Sequence, residues 1–158
     1  MKYNREGLSW KLAISPFCRV PKNVIIYSVA RRFRDAKEKS IFCAKVAQEK
    51  KAYDLVILDL KEFPTLTNYF FICSGRSDRQ VQSIARSIEE RMAERGIKPL
   101  GVEGMGEGRW VLLDYDDLVV HVFYEPVRLY YDLEGLWIEA PRVPLPQGED
   151  NDHEEKEE

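Results

Sequence analysis

The sequence predicts a single small α/β domain in which helices pack against a sheet. The run Arg109–Tyr124 is rich in Val, Leu and aromatic residues, which favour strands, and an acidic turn at 114–117 divides it into a hairpin. Ser77 and Gln80 have capping-box spacing, and an apolar stripe at helical intervals follows them. A chain of 158 residues is long enough for one domain with one core.

The other elements are predicted from the same kinds of pattern. Asp35 and Glu38 also have capping-box spacing, which predicts a first helix over 35–51. Apolar runs at 53–60 and 69–74 predict two strands, and the glycine-rich run 100–109 predicts a connection between strands. Later signals are a helix stop at Gly96, a helix start at Pro126, and an anchor packed on the sheet at Leu133, Leu136 and Trp137.

Composition limits the classes of protein to be considered. The chain is 44% hydrophobic and 32% charged, as in globular domains, and it has no apolar run near the roughly 20 residues that span a bilayer. The three cysteines lack CxxC spacing and the chain has only two histidines, so neither a disulfide framework nor a zinc site is predicted. No cofactor or metal is predicted, and a reducing compartment is favoured.

Charge is unevenly distributed along the chain. The net charge of -3 combines +9 over residues 1–51 with -6 over 52–146 and -6 over 147–158. We therefore expect a basic extension at 1–34, a folded domain at 35–143 and an acidic tail at 144–158. The extension is predicted to be a poorly ordered arm or an included upstream stretch, with an RNA-binding arm or a transit peptide as alternatives.

The acidic character of the domain favours a basic protein surface as partner. Phosphate neutralisation requires Lys and Arg, so direct nucleic-acid contact is expected only through residues 1–34. Trp110 either packs in the core or stands exposed beside Asp114 and Tyr115. In the exposed case it would form an amphipathic patch that selects a basic partner.

An enzymatic alternative rests on the carboxylates of the acidic turn. Asp114 and Asp116 would share one face of an unbroken strand and, with Asp117, could hold Mg²⁺ for nucleotidyl transfer. Acidic residues are also common in tight turns for conformational reasons alone. His121 lacks an evident acid–base partner and is predicted to be tucked into the sheet, and Cys73 lacks a neighbouring base.

Several sequence blocks stand in a recognisable order. They are Thr67–Gly75 (TNYFFICSG), Ser77–Gln80 (SDRQ), Val102–Gly104 (VEG), Trp110–Tyr115 (WVLLDY), Asp117–Phe123 (DLVVHVF), Tyr130–Glu134 (YYDLE) and Leu136–Trp137 (LW). With these blocks in this order, the segment from 35 to 143 resembles the ribosomal silencing factors, also called the Iojap family.

This resemblance implies a mixed sheet of about five strands, similar to nucleotidyltransferases but without their activity. It implies binding to the large ribosomal subunit through ribosomal protein L-fourteen, so that joining of the small subunit is blocked and translation slows under nutrient limitation. It places the partner surface at Trp110, Leu112, Asp114 and Tyr115. The implied location is the bacterial cytoplasm, with an organelle matrix as the alternative. A self-complementary sheet face would also allow a homodimer when the protein is free.

The chain departs from the family pattern at Asp116, where the family usually has glycine. A glycine there suggests a turn that needs positive φ, which Asp tolerates at a cost on the order of 1 kcal/mol. We therefore expect the hairpin to form with a more acidic tip. Residues 1–34 have no counterpart in the common family pattern.

Overall fold

The computed structural model describes residues 33–145, which form a five-stranded mixed sheet with helices on both faces. The predicted fold class is confirmed. In chain order the elements are α1 Ala36–Glu49, β1 Tyr53–Asp59, β2 Tyr69–Gly75, α2 Asp78–Ala93, β3 Gly101–Glu103, β4 Trp110–Asp114, β5 Leu118–Tyr124, α3 Glu125–Tyr131 and α4 Leu133–Leu136.

The sheet has the strand order β1-β2-β5-β4-β3. Strands β2 and β5 run parallel, and every other pair of neighbours is antiparallel. The predicted hairpin is confirmed as β4 and β5, with Leu112 opposite His121 and Trp110 opposite Phe123. Because β5 lies at the centre of the sheet, this hairpin organises the domain.

Helices α1 and α2 cover one face of the sheet and enclose the larger core. The Asp35 side chain caps α1 by accepting from the Glu38 N–H, and Ser77 caps α2 by accepting from the Gln80 N–H. Both predicted helix starts are therefore confirmed. Cys43 and Cys73 are buried free thiols in this core, which agrees with a packing role.

The second face carries a smaller core under α3, α4 and the segment that follows them. Leu133 and Trp137 pack against this core, as predicted. The prediction for Leu136 is wrong: its side chain is 74% exposed. Helix α4 is a single turn that ends at Leu136, and the chain packs on the sheet at its first residue, Leu133, and at Trp137 just after it.

Residues with positive φ angles occur in the connections on either side of β4. Asp116 has φ 73°, which confirms the expectation that this turn needs a residue in the left-handed conformation. The glycine-rich run contains a short edge strand, β3, before the connection begins at Gly104. Gly104 has φ 73°, and a Cβ there would lie 1.9 Å from the Trp110 carbonyl oxygen, so the close approach to β4 requires glycine.

The predicted basic extension lies almost wholly outside the described residues, as does the acidic tail beyond residue 145. Among the helices of the described segment, none is long and apolar enough to cross a membrane.

Candidate functional site

Part of the second sheet face is left uncovered by helices, and its side chains form rows across the strands. Trp110, Leu112 and Asp114 alternate with buried residues along β4 and are half-buried. Val119 on β5 lies opposite Asp114, and Glu103 on β3 lies opposite Leu112. We call these five residues the open sheet surface.

Trp110 is neither sealed in the core nor fully exposed. Its ring stacks on Phe123 at 4.8 Å between centroids and meets Tyr131 at 5.0 Å. Its indole N–H donates to Nδ1 of His121 over 3.2 Å. The indole is therefore fixed by two ring contacts and one hydrogen bond, while part of it remains accessible.

His121 is buried in the sheet, as predicted, and its ring is neutral. Burial lowers its pKa from 6.5 to about 4. Since the indole can only donate, Nδ1 of His121 must be the unprotonated acceptor, which places the proton on Nε2. The Nε2 atom is buried without a hydrogen-bond partner among residues 33–145.

The predicted placement of Tyr115 beside Trp110 is wrong. Tyr115 is only 4% exposed and packs in the larger core on the helix side of the sheet. Strand alternation explains this, because residue 115 falls on the face opposite to 110, 112 and 114. Its hydroxyl has no hydrogen-bond partner within the described residues, and burial raises its pKa.

The carboxylates of the acidic turn do not converge on a metal site. An Asp114 carboxylate oxygen accepts the Asp116 N–H over 2.8 Å, which stabilises the turn. Asp117 instead forms an ion pair with Lys39 of α1. No group of three or more His, Cys, Asp or Glu side chains in the segment 33–145 is arranged to hold a metal ion. The geometry therefore gives no support to Mg²⁺-dependent nucleotidyl transfer.

Two shallow depressions border the open sheet surface. One of about 610 Å³ is lined by Leu112, Asp114, Val119 and His121, and by the loop around Leu66. The other, of about 390 Å³, lies beside Trp110 and is lined by α3 residues that include Tyr130 and Tyr131. Leu66 is 102% exposed and Tyr130 82%, so the rims of both depressions present apolar side chains to solvent.

Comparison with known proteins identifies the family. The family model described as "Ribosomal silencing factor during starvation" matches residues 34–158. The chain belongs to the ribosomal silencing factor family.

Relatives and solved structures agree with this assignment. The chain is 45% identical over 113 residues to "Ribosomal silencing factor RsfS" of Bacillus subtilis (strain 168), covering 70% of this chain and 96% of that protein. It is 32% identical to "Protein Iojap, chloroplastic" of Arabidopsis thaliana over 65% of this chain, but that match spans only 43% of the plant protein. A crystal structure of a Chromobacterium violaceum protein is similar at a TM-score of 0.64 and 32% identity, covering 74% of this chain and 97% of that one.

Membership of the ribosomal silencing factor family makes this chain a ribosome-associated silencer of translation. The family is a regulatory one, named for silencing ribosomes rather than for catalysis. The resemblance read from the sequence blocks is thereby confirmed.

Two interactions of this silencing factor were not visible in the sequence. The bond between Trp110 and His121 joins diagonal positions of neighbouring strands, which become apparent only when the hairpin register is known. Arg128 is 9% exposed and binds Glu134, the Ser74 hydroxyl and the Asp54 carbonyl. No spacing rule signals that a helix arginine will be buried, because the partners come from three other parts of the chain.

The neutral state of His121 predicts loss of stability in acid. Its pKa is about 4 when folded and near 6.5 when unfolded, so only the unfolded chain takes up the proton between these values. Stability is full above pH 6.5 and falls as the pH drops toward 4. Between pH 7 and 4.5 we expect the wild type to lose about 2 kcal/mol more than His121→Gln, measured by urea unfolding. Equal losses in the two proteins would refute the buried neutral imidazole.

Proposed function

We propose that this silencing factor binds ribosomal protein L-fourteen on the large subunit and sterically blocks joining of the small subunit. The observation that carries the proposal is the open sheet surface, where half-buried Trp110 and Leu112 share one face with the carboxylates of Asp114, on the same strand, and of Glu103, opposite Leu112 on β3. Tyr115 is left out of the contact set because it is buried on the other face.

The chemistry of this surface matches a cationic protein partner. Aromatic and aliphatic side chains supply area that can be desolvated, and carboxylates at the margin favour Lys and Arg and disfavour phosphate. The part of the domain outside the α1 and α2 layer, residues 52–75 and 99–145, carries 12 Asp/Glu against 4 Lys/Arg. Because the family is named for silencing ribosomes, a cationic ribosomal protein is the partner that this surface would select.

Silencing by this route needs occupancy and not turnover. A factor seated on the joining face excludes the small subunit for as long as it stays bound, so affinity and residence time set the degree of repression. We propose the bacterial cytoplasm as the site of action, with an organelle matrix as the alternative, since the relatives include both bacterial and organelle proteins.

The test uses purified ribosomal subunits. We expect the full chain to co-sediment with large subunits and not with small ones, and to be retained by isolated ribosomal protein L-fourteen. Saturating amounts should suppress the light-scattering increase that accompanies subunit joining. Retention on the small subunit, or joining at an unchanged rate when the large subunit is saturated, would overturn the proposal.

A matched variant separates charge from shape at the same surface. Asp114→Asn keeps the side-chain oxygen that accepts the Asp116 N–H but removes the negative charge. Affinity for ribosomal protein L-fourteen should fall several-fold, mainly through slower association at low salt.

A second copy of this chain is the competing occupant of the surface, and sedimentation equilibrium of the free protein would reveal a homodimer.

A further inference from the structure

The charges of the folded domain are separated in space in a way that the segment totals conceal. Helices α1 and α2 with their adjoining turns, residues 34–51 and 76–98, carry 12 Lys/Arg against 7 Asp/Glu. The rest of the described chain is strongly acidic. The net charge of -6 over residues 52–146 therefore does not describe the surface formed by α1 and α2, where positive charges are in excess.

Positive side chains concentrate where the end of α1 meets the start of α2. The Gln80 side-chain amide donates to the Lys50 carbonyl over 3.2 Å and to the Lys51 carbonyl over 3.0 Å, which ties these two helix ends together. We call the exposed cations around this junction the basic corner: Lys50, Lys51, Arg76, Arg79 and Arg109. Within residues 33–145, none of these five side chains forms an ion pair.

A cleft of about 220 Å³ lies inside the basic corner, between Arg76 and Arg109, with Ser77 at its wall. The Ser77 oxygen accepts the Gln80 N–H over 3.2 Å, so the hydroxyl hydrogen remains available to donate. The Arg76 guanidinium lies over the Tyr53 ring at 5.7 Å, which restricts its orientation.

One carboxylate, that of Asp78, also lines this cleft. Its charge is partly engaged, because one of its oxygens accepts the Arg79 N–H over 2.7 Å. Two guanidinium groups with a hydroxyl form a donor set suited to phosphate oxygens, and the positive charge exceeds that of the single carboxylate.

We propose that the basic corner binds the phosphate backbone of ribosomal RNA beside the protein docking site. A single phosphate would need only the cleft, whereas four cations at two helix ends, together with Arg109 at the start of β4, fit a chain of phosphates. Arg109 precedes Trp110 in sequence and lines the same depression. A ribosomal protein bound over the indole would therefore bring the phosphate backbone of neighbouring RNA onto the basic corner. The inference rests on the proposed function and revises the expectation that only residues 1–34 touch nucleic acid.

The test measures the salt dependence of binding to large subunits for three proteins. Arg76→Ala/Arg109→Ala removes two charges from the basic corner. The control Lys37→Ala/Lys98→Ala removes two exposed charges at the opposite end of the helices, near the contact of Arg95 with Phe33. We expect the corner variant to reduce the slope of log K against log salt by about 1.4 to 1.8, or about 0.7 to 0.9 per phosphate, with no change in the control.

A second arm uses a fluorescent RNA hairpin alone at low salt, where the corner variant should bind several-fold more weakly than the wild type and the control. Residues 1–34 are identical in all three proteins, so any contribution from them cancels. Equal slopes, together with equal hairpin affinities, would overturn the inference. If the wild type fails to bind large subunits, the proposed function falls, and the hairpin arm alone then decides the inference.

Discussion

Replacing Trp110 with alanine is expected to weaken binding to the large subunit by about 30-fold to 1,000-fold, equivalent to 2 to 4 kcal/mol. The indole is the largest side chain on the open sheet surface, and its stacking on Phe123 and hydrogen bond to His121 fix it before a partner arrives. Its truncation removes an anchor that loses little conformational entropy on binding. Co-sedimentation over a range of protein concentrations would give the affinity.

The controls separate lost contact from lost folding. Tyr115→Phe removes one hydroxyl that is buried without a hydrogen-bond partner in the described chain, so it should leave binding unchanged and stability equal or higher. Trp110→Ala should unfold in one cooperative urea transition, since the indole is half-buried and the larger core lies on the other face. Wild-type affinity in Trp110→Ala, or loss of binding in Tyr115→Phe, would refute the assigned surface.

The elements with strong local signals were predictable from sequence. The capping residues Asp35 and Ser77 specify where α1 and α2 begin, and the apolar run around 109–124 specifies the hairpin, because each signal acts within a few residues. Short β3 was missed because three residues in a glycine-rich run have no periodicity; only pairing with β4 makes them a strand.

The site was only partly predictable, for a different reason. Trp110, Leu112 and Asp114 follow from alternation along one strand, and the same rule assigns Tyr115 to the opposite face. Alternation therefore places Tyr115 in the larger core and not beside Trp110. The basic corner could not be predicted at all, because Lys50 and Arg109 lie far apart in sequence and only the packed helix and strand ends bring them to one region.

Of the substitutions proposed, replacing Arg128 with methionine should lower the free energy of unfolding most, by about 3 to 5 kcal/mol. Arg128 binds both Glu134 carboxylate oxygens, at 2.8 and 3.0 Å, the Ser74 hydroxyl at 2.7 Å and the Asp54 carbonyl at 2.7 Å. Methionine fills much of the space but leaves a partly buried carboxylate and a buried hydroxyl unsatisfied. Urea unfolding of the two proteins would measure the difference.

Arg91→Met is the matched control, because Arg91 forms an exposed pair with Glu49 whose side chains are 43% and 56% accessible. Such pairs contribute about 0 to 1 kcal/mol, so this variant should remain close to wild type. If the cost at position 128 comes from the orphaned carboxylate, adding Glu134→Leu to Arg128→Met should restore part of the stability. A double variant no more stable than Arg128→Met would show that the cost arises instead from the lost packing and from the lost hydrogen bonds to Ser74 and Asp54. Recovery would instead show that the carboxylate of Glu134, left without its partner, causes part of the loss.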